Sequence, residues 1–153
     1  MVIGDILAGF FFSLFLGVII ILFARLFLGV KVISLTLLVL TTIIASLLFA
    51  GLGSAFAALP TNKPSNVMML ANSIRLPVIF ISGIFVPLAE LPFWGRILSY
   101  ISPVTYAVEM LRAAYAGNNY LSPLAAGAIL TGFMIVIIGG AVLFHRHTLT
   151  RRI

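Results

Sequence analysis

The constraint that narrows this chain most is the length over which it avoids charge. One apolar run begins after Asp5 and stops at Arg25, and a second begins after Lys31 and reaches Leu59. Another, Leu121 to Phe144, leads into a basic tail. Each is near or above the ~20 residues that a helix needs to cross ~30 Å of hydrocarbon. At 63% hydrophobic and 8% charged, a chain of 153 residues cannot hide this surface in a core of its own size. Lipid must cover the remainder. A further segment is less simple, because the uncharged run between Arg75 and Glu90 is too short to cross. Extended back to Val67 it reaches Leu88, ~33 Å of helix. Arg75 then lies inside the span, and Pro77 kinks it or frees a carbonyl.

The expected fold is all-α, a polytopic transmembrane helix bundle forming one domain over residues 1–153. Its four spans cover about 4–26, 32–59, 67–88 and 121–144, joined by an outer re-entrant or interfacial helical hairpin at about 90–117. The connectors differ in kind. Leu26 to Lys31 is short, with Gly29 as a helix stop. Pro60 to Asn66 is a polar loop with two prolines. The long connector splits at Ser102-Pro103, where serine suits an N-cap and proline the first helical position. A short helix over Pro92 to Ile101 precedes the split. A second, Pro103 to Ala116, ends at Gly117.

An even number of spans puts both termini on one side. The tail His145-Arg-His-Thr-Leu-Thr-Arg-Arg152 is basic, so the positive-inside rule makes both termini cytoplasmic in a cell membrane. Lys63, Arg75, Arg146, Arg151 and Arg152 then lie on or near the inner side. Arg25, Lys31, Arg96 and Arg112 lie on the outer side, with the hairpin.

Several function classes drop out. The net charge of +6 comes from span ends, not from basic runs interleaved with aromatics, so nucleic acid is not an expected partner. With no cysteine there is no disulfide and no thiolate nucleophile. The N-terminus has no basic n-region, and its apolar run is too long for a signal peptide. No phosphate-binding loop, H-E-x-x-H or G-x-S-x-G motif is present, so no catalytic, cofactor-binding or metal residues are expected. The acids Asp5, Glu90 and Glu109 are too scattered to form a carboxylate pair.

Candidate functional residues follow from charge and aromatics in a membrane setting. Arg75 inside a span either snorkels or lines a polar cavity. Glu109 and Arg112, three apart on a helix, can pair. They form a plain surface pair, or hold the pose of a hairpin dipping into the membrane. Phe93 and Trp94, directly after Pro92, either anchor the chain at the interface or contact substrate. Gly9, Ser13 and Gly17 repeat every fourth residue, as do Gly53 with Ala57 and Ala128 with Gly132. They serve packing within the chain or a dimer face. His145 and His147 point in different directions and read as interfacial residues.

From Asn72 onward the chain resembles the ABC-2-type permeases, membrane subunits of one class of ATP-binding-cassette transporter. Ile81 to Trp94, ISGIFVPLAELPFW, matches a phrase of the form L-S-G-x-F-x-P-L-x-x-L-P-x-W. Ser102-Pro103-Val104-Thr105-Tyr106 with Arg112 matches N-P-x-T-Y-x-x-x-x-x-R, with serine replacing asparagine. The resemblance implies a six-span permease working as a dimer with a second copy or homologue. It also implies a partner ATPase subunit that holds ATP and Mg, and export of a drug, lipid or polysaccharide. Pro92, Phe93, Trp94, Pro103, Tyr106, Glu109 and Arg112 would belong to the outer gate. It further implies two more spans and a cytoplasmic coupling segment, carried upstream of residue 1 or on another polypeptide.

Overall fold

The computed structural model describes residues 2–57, 64–117 and 120–149. The loop around Lys63, the Asn118-Asn119 pair and the tail from Thr150 lie outside the described residues, as do the side chains of residues 142–149, including His145 and His147. Six helices follow in order: α1 (Val2–Phe27), α2 (Leu35–Ala57), α3 (Pro64–Ile81), α4 (Phe93–Ile101), α5 (Pro103–Tyr115) and α6 (Pro123–Leu149). A single 3-10 turn, Leu88–Glu90, lies between α3 and α4.

Among the described residues three helices are long and apolar enough to cross a membrane: Ile3–Phe27, Leu35–Ala57 and Pro123–Ala141. The apolar part of α3, Met68–Ile81, is shorter. At 1.5 Å per residue it reaches about 21 Å, short of a full bilayer core. The helix expected to run to Leu88 stops at Ile81, because Gly83 takes a positive φ of +84° and Pro87 follows. Only glycine adopts that backbone conformation without strain, and the residue before a proline avoids the helical region. Pro77 does not end α3, which continues helical to Ile81.

α2 is the centre of the bundle. It packs along α1 on one side and along α6 and α5 on the other. The core joins Leu48 of α2, Tyr106, Ala107 and Met110 of α5, and Ala126 and Leu130 of α6. The first small-residue row seals α1 to α2 within the chain. A methyl added to Gly9 would lie 3.3 Å from Ala50 Cβ, and one on Gly17 3.4 Å from Thr42 Cγ2. Gly53 and Gly132 face open space instead. No described side chain of α3 is buried.

The break at Ser102-Pro103 is present, but the serine works differently from a side-chain cap. Its hydroxyl makes no capping bond, and its backbone carbonyl accepts the Thr105 N–H at 3.2 Å. Pro103 has no N–H to satisfy, so one of the orphan donors of the first turn is absent from the start.

Candidate functional site: the re-entrant hairpin

α4 and α5 form a hairpin that enters the bundle and returns. The upper end of α4 is fixed by Arg96, whose guanidinium donates to the phenol oxygen of Tyr120, just ahead of α6. The upper end of α5 is fixed by the α1–α2 connector, where the Ile33 and Ser34 N–H groups donate to the Ala114 carbonyl at 2.8 and 3.1 Å. Between these ends the hairpin goes down. The Tyr106 ring lies 6.0 Å from that of Phe133, which is about 15 Å along α6 from Pro123. The turn at Ser102-Pro103 sits at the bottom, with the hydroxyls of Ser102 and Thr105 buried and without a hydrogen-bond partner among the described residues. The Tyr106 hydroxyl donates to the Tyr100 carbonyl at 2.7 Å, pinning α5 to the end of α4.

The two charges of α5 do not pair with each other among the described residues. Each serves a different backbone segment. Glu109 is 2% exposed, and its Oε2 accepts the N–H groups of Tyr120 at 2.7 Å and Leu121 at 3.2 Å. Arg112 donates through Nη2 to the carbonyl of Gly83, in the turn after α3. Helical spacing alone would have them side by side. Chain ends carrying unsatisfied backbone groups compete for them, and a charge-assisted bond to a buried backbone group is worth more than a partly solvated ion pair.

Arg96 extends the arrangement. Its Nε and Nη2 donate to the Leu88 and Ala89 carbonyls at 3.3 and 3.1 Å, and its guanidinium carbon lies 5.3 Å from the centre of the Tyr120 ring. The last turn before α4 is thus gripped from below by one arginine, and the turn after α3 by the other. Pro87, Leu88, Glu109, Arg112, Gly117 and Tyr120 line a cavity of about 500 Å³ at this end of the bundle.

The expected site residues divide into two groups. Tyr106, Glu109 and Arg112 hold the hairpin in place, and Pro103 starts α5. Pro92 precedes α4, where Phe93 and Trp94 are 80% and 66% exposed and do not line the cavity. Arg75 is exposed on α3. Sequence reasoning passed over Arg96, Gly83 and Tyr120. Arg96 carried a usable signal as the lone cation of an otherwise apolar short helix. Gly83 did too, standing four residues before a proline.

The family described as ABC-2 type transporter matches residues 1–116, which include α1 to α5.

The chain belongs to the ABC-2 type transporter family.

Over 77 residues it is 30% identical to "Putative transport permease ycf38" of Cyanophora paradoxa, covering 49% of this chain and 27% of that relative. This chain therefore spans about a quarter of the relative's length. No solved structure matches it. For an ABC-2 type chain the long apolar helices are membrane helices, and the surrounding solvent for their exposed faces is lipid. Residues 1–116 contain the Gly83 turn and both arginines of the hairpin, so the Arg112–Gly83 bond and those of Arg96 to Leu88 and Ala89 lie inside the matched region, whereas Tyr120 lies beyond it.

Proposed function

We propose that this chain is part of the permease of an ATP-binding-cassette exporter, and that its hairpin closes the outer exit. The observation that carries this is the position of α5. One short helix is hydrogen-bonded to the connector between α1 and α2, to the turn after α3, and to the linker ahead of α6. A movement of any spanning helix at this end must carry α5 with it or break one of these bonds. That is what an exit gate requires, and a passive surface loop would not need it.

In this reading ATP and Mg are held by a partner ATPase subunit, whose closure moves the membrane helices. The transported compound is a drug, lipid or polysaccharide-type substrate. A second permease copy or homologue covers the lightly packed α3, whose exposed face carries Asn72, Ser73 and Arg75. An arginine about 9 Å from the end of a short apolar helix needs a polar neighbour or a route to the interface. A dimer cavity supplies the first. In this reading the basic tail is cytoplasmic, and the N-terminus shares its side, because the connector after α1 and the residues ahead of α6 both bond to α5.

Co-purification with an ATP-binding-cassette subunit, followed by a substrate-stimulated ATPase assay in proteoliposomes, tests the proposal. Arg112→Ala should lower export severalfold while membrane insertion stays normal. Export equal to wild type would remove the gate, and failure to retain any ATPase subunit would remove the exporter.

A further inference from the structure

The cavity beside the hairpin has a chemistry that the gate does not use. Arg112 is half-buried, and of its five N–H donors only Nη2 has a partner among the described residues, the Gly83 carbonyl. Arg112 lines a cavity of about 500 Å³. Tyr120 lines the same cavity, and its phenol oxygen accepts from Arg96 at 3.3 Å. A phenol that accepts through its oxygen keeps its own proton to donate. The cavity therefore offers a guanidinium fork and a hydroxyl, the donor set for a phosphate oxygen pair.

The local charge selects among phosphates. Arg96 and Arg112 contribute two positive charges, and Glu109 removes one while accepting the N–H groups below. One net positive charge suits a singly charged phosphodiester better than a doubly charged phosphomonoester. Glu90 follows on the 3-10 turn but is exposed, so water screens it.

Depth selects the source. Arg112 lies about 4–5 Å below Tyr115, where α5 ends. Ala114 is bonded to the connector ahead of α2 and Glu109 to the residues ahead of α6, so Arg112 lies level with the ends of the spanning helices, where a bilayer has its interfacial layer. Leu88 and Pro87 form the apolar wall of the cavity, and the neighbouring α4 exposes Ile97, Leu98 and Ile101. An acyl chain leaving the site would run along these side chains.

We propose that the cavity between Arg112 and Tyr120 binds the phosphodiester of a phospholipid from the surrounding leaflet. The site does not depend on export being the activity of the chain, only on its membrane setting. The full chain, purified in non-ionic detergent and stripped of lipid, is titrated with phosphatidylcholine, phosphatidate or diacylglycerol of identical acyl chains. Native mass spectrometry counts the lipid retained. Phosphatidylcholine should be retained one per chain, with diacylglycerol about tenfold weaker or worse, the scale of one charge-assisted hydrogen bond. Arg112→Gln should bring phosphatidylcholine down to the diacylglycerol level. Tyr120→Phe, which removes only a hydroxyl, should weaken retention severalfold and serves if Arg112→Gln does not fold. Arg75→Gln, the loss of a cation on a distant face, should leave retention unchanged.

Equal retention of diacylglycerol would overturn the site, as would equal losses in Arg112→Gln and Arg75→Gln. Preference for phosphatidate would show a general anion site and refute the charge argument. Displacement of the lipid by millimolar inorganic phosphate would assign the site to a free anion.

Discussion

Gly83 is where the backbone of this fold tolerates least change, and its replacement by alanine has a cost that can be worked out. Its φ of +84° is open to glycine but strained for any residue with a Cβ. Forcing an L-residue into left-handed backbone costs about 1–2 kcal/mol. The added methyl would also lie 2.7 Å from Cδ1 of Leu88, which is itself 1% exposed. Leucine can yield at its tip, but a buried one has to leave its preferred rotamer, at about 0.5–1.5 kcal/mol. Gly83→Ala should therefore destabilise the chain by about 1.5–3.5 kcal/mol, several degrees of apparent melting temperature for a chain of this size. Gly29 supplies the control. It also has positive φ, +62°, but a methyl there meets nothing within 4 Å. Gly29→Ala should show only the conformational part, about 1–2 kcal/mol. Both variants are measured by thermal unfolding in the same detergent. Equal shifts would refute the contact with Leu88, and no shift for Gly83→Ala would refute the turn itself. Because the Gly83 carbonyl accepts from Arg112, a displaced turn should also loosen α5, seen as faster hydrogen exchange at Tyr115 and Ala116.

Three further outcomes follow from the packing. Glu109→Gln keeps an acceptor for the Tyr120 N–H and should cost less than Glu109→Ala, which should cost about 2–4 kcal/mol; equal melting temperatures would mean the carboxylate holds nothing. Leu48→Ala, at a residue with no exposed surface between α5 and α6, should lower stability by about 2–5 kcal/mol in a detergent unfolding titration, and a change under 1 kcal/mol would place the core elsewhere. Gly53→Ala, facing open space, should raise stability by about 0.5–1 kcal/mol, whereas Gly51→Ala, 3.1 Å from Ile138 Cγ1, should not; a reversed order in thermal scans would contradict the α2–α6 contact.

What could be foreseen from residues alone was what local rules decide. Pro103 opens α5 and Gly117, with a φ of +66°, follows its end, because proline and glycine act through their own backbone. The long apolar helices were legible for a similar reason, since hydropathy and length are properties of a segment. The end of α3 was not. Ser82 to Pro87 is apolar enough to pass for membrane helix, and hydropathy does not separate a helix from an apolar turn whose Ile84, Phe85 and Val86 stay exposed. The partners of Glu109 and Arg112 were also out of reach. Their spacing was correct for pairing, but the competing acceptor at Gly83 and the donors at Tyr120 and Leu121 arrive from elsewhere in the chain.

The same three contacts explain why a hairpin can sit among membrane helices at all. A hairpin packed among membrane helices covers the places where the spans around it begin and end, so the backbone groups it shields from water need partners from within the chain. Arg112 partners the Gly83 carbonyl and Arg96 that of Ala89, Arg96 also sharing the Leu88 carbonyl with the Leu91 N–H, and Glu109 partners N–H groups ahead of α6. Positive side chains meet carbonyl ends and the negative one meets N–H groups, so each charge matches the backbone dipole it faces. Reversing them should therefore be worse than deleting either. Glu109→Arg with Arg112→Glu keeps composition and net charge but opposes like to like at both ends. If the doubly exchanged chain unfolded at the wild-type temperature, the two side chains would have to be acting as an ion pair with each other, and not as separate caps on the ends of the spans.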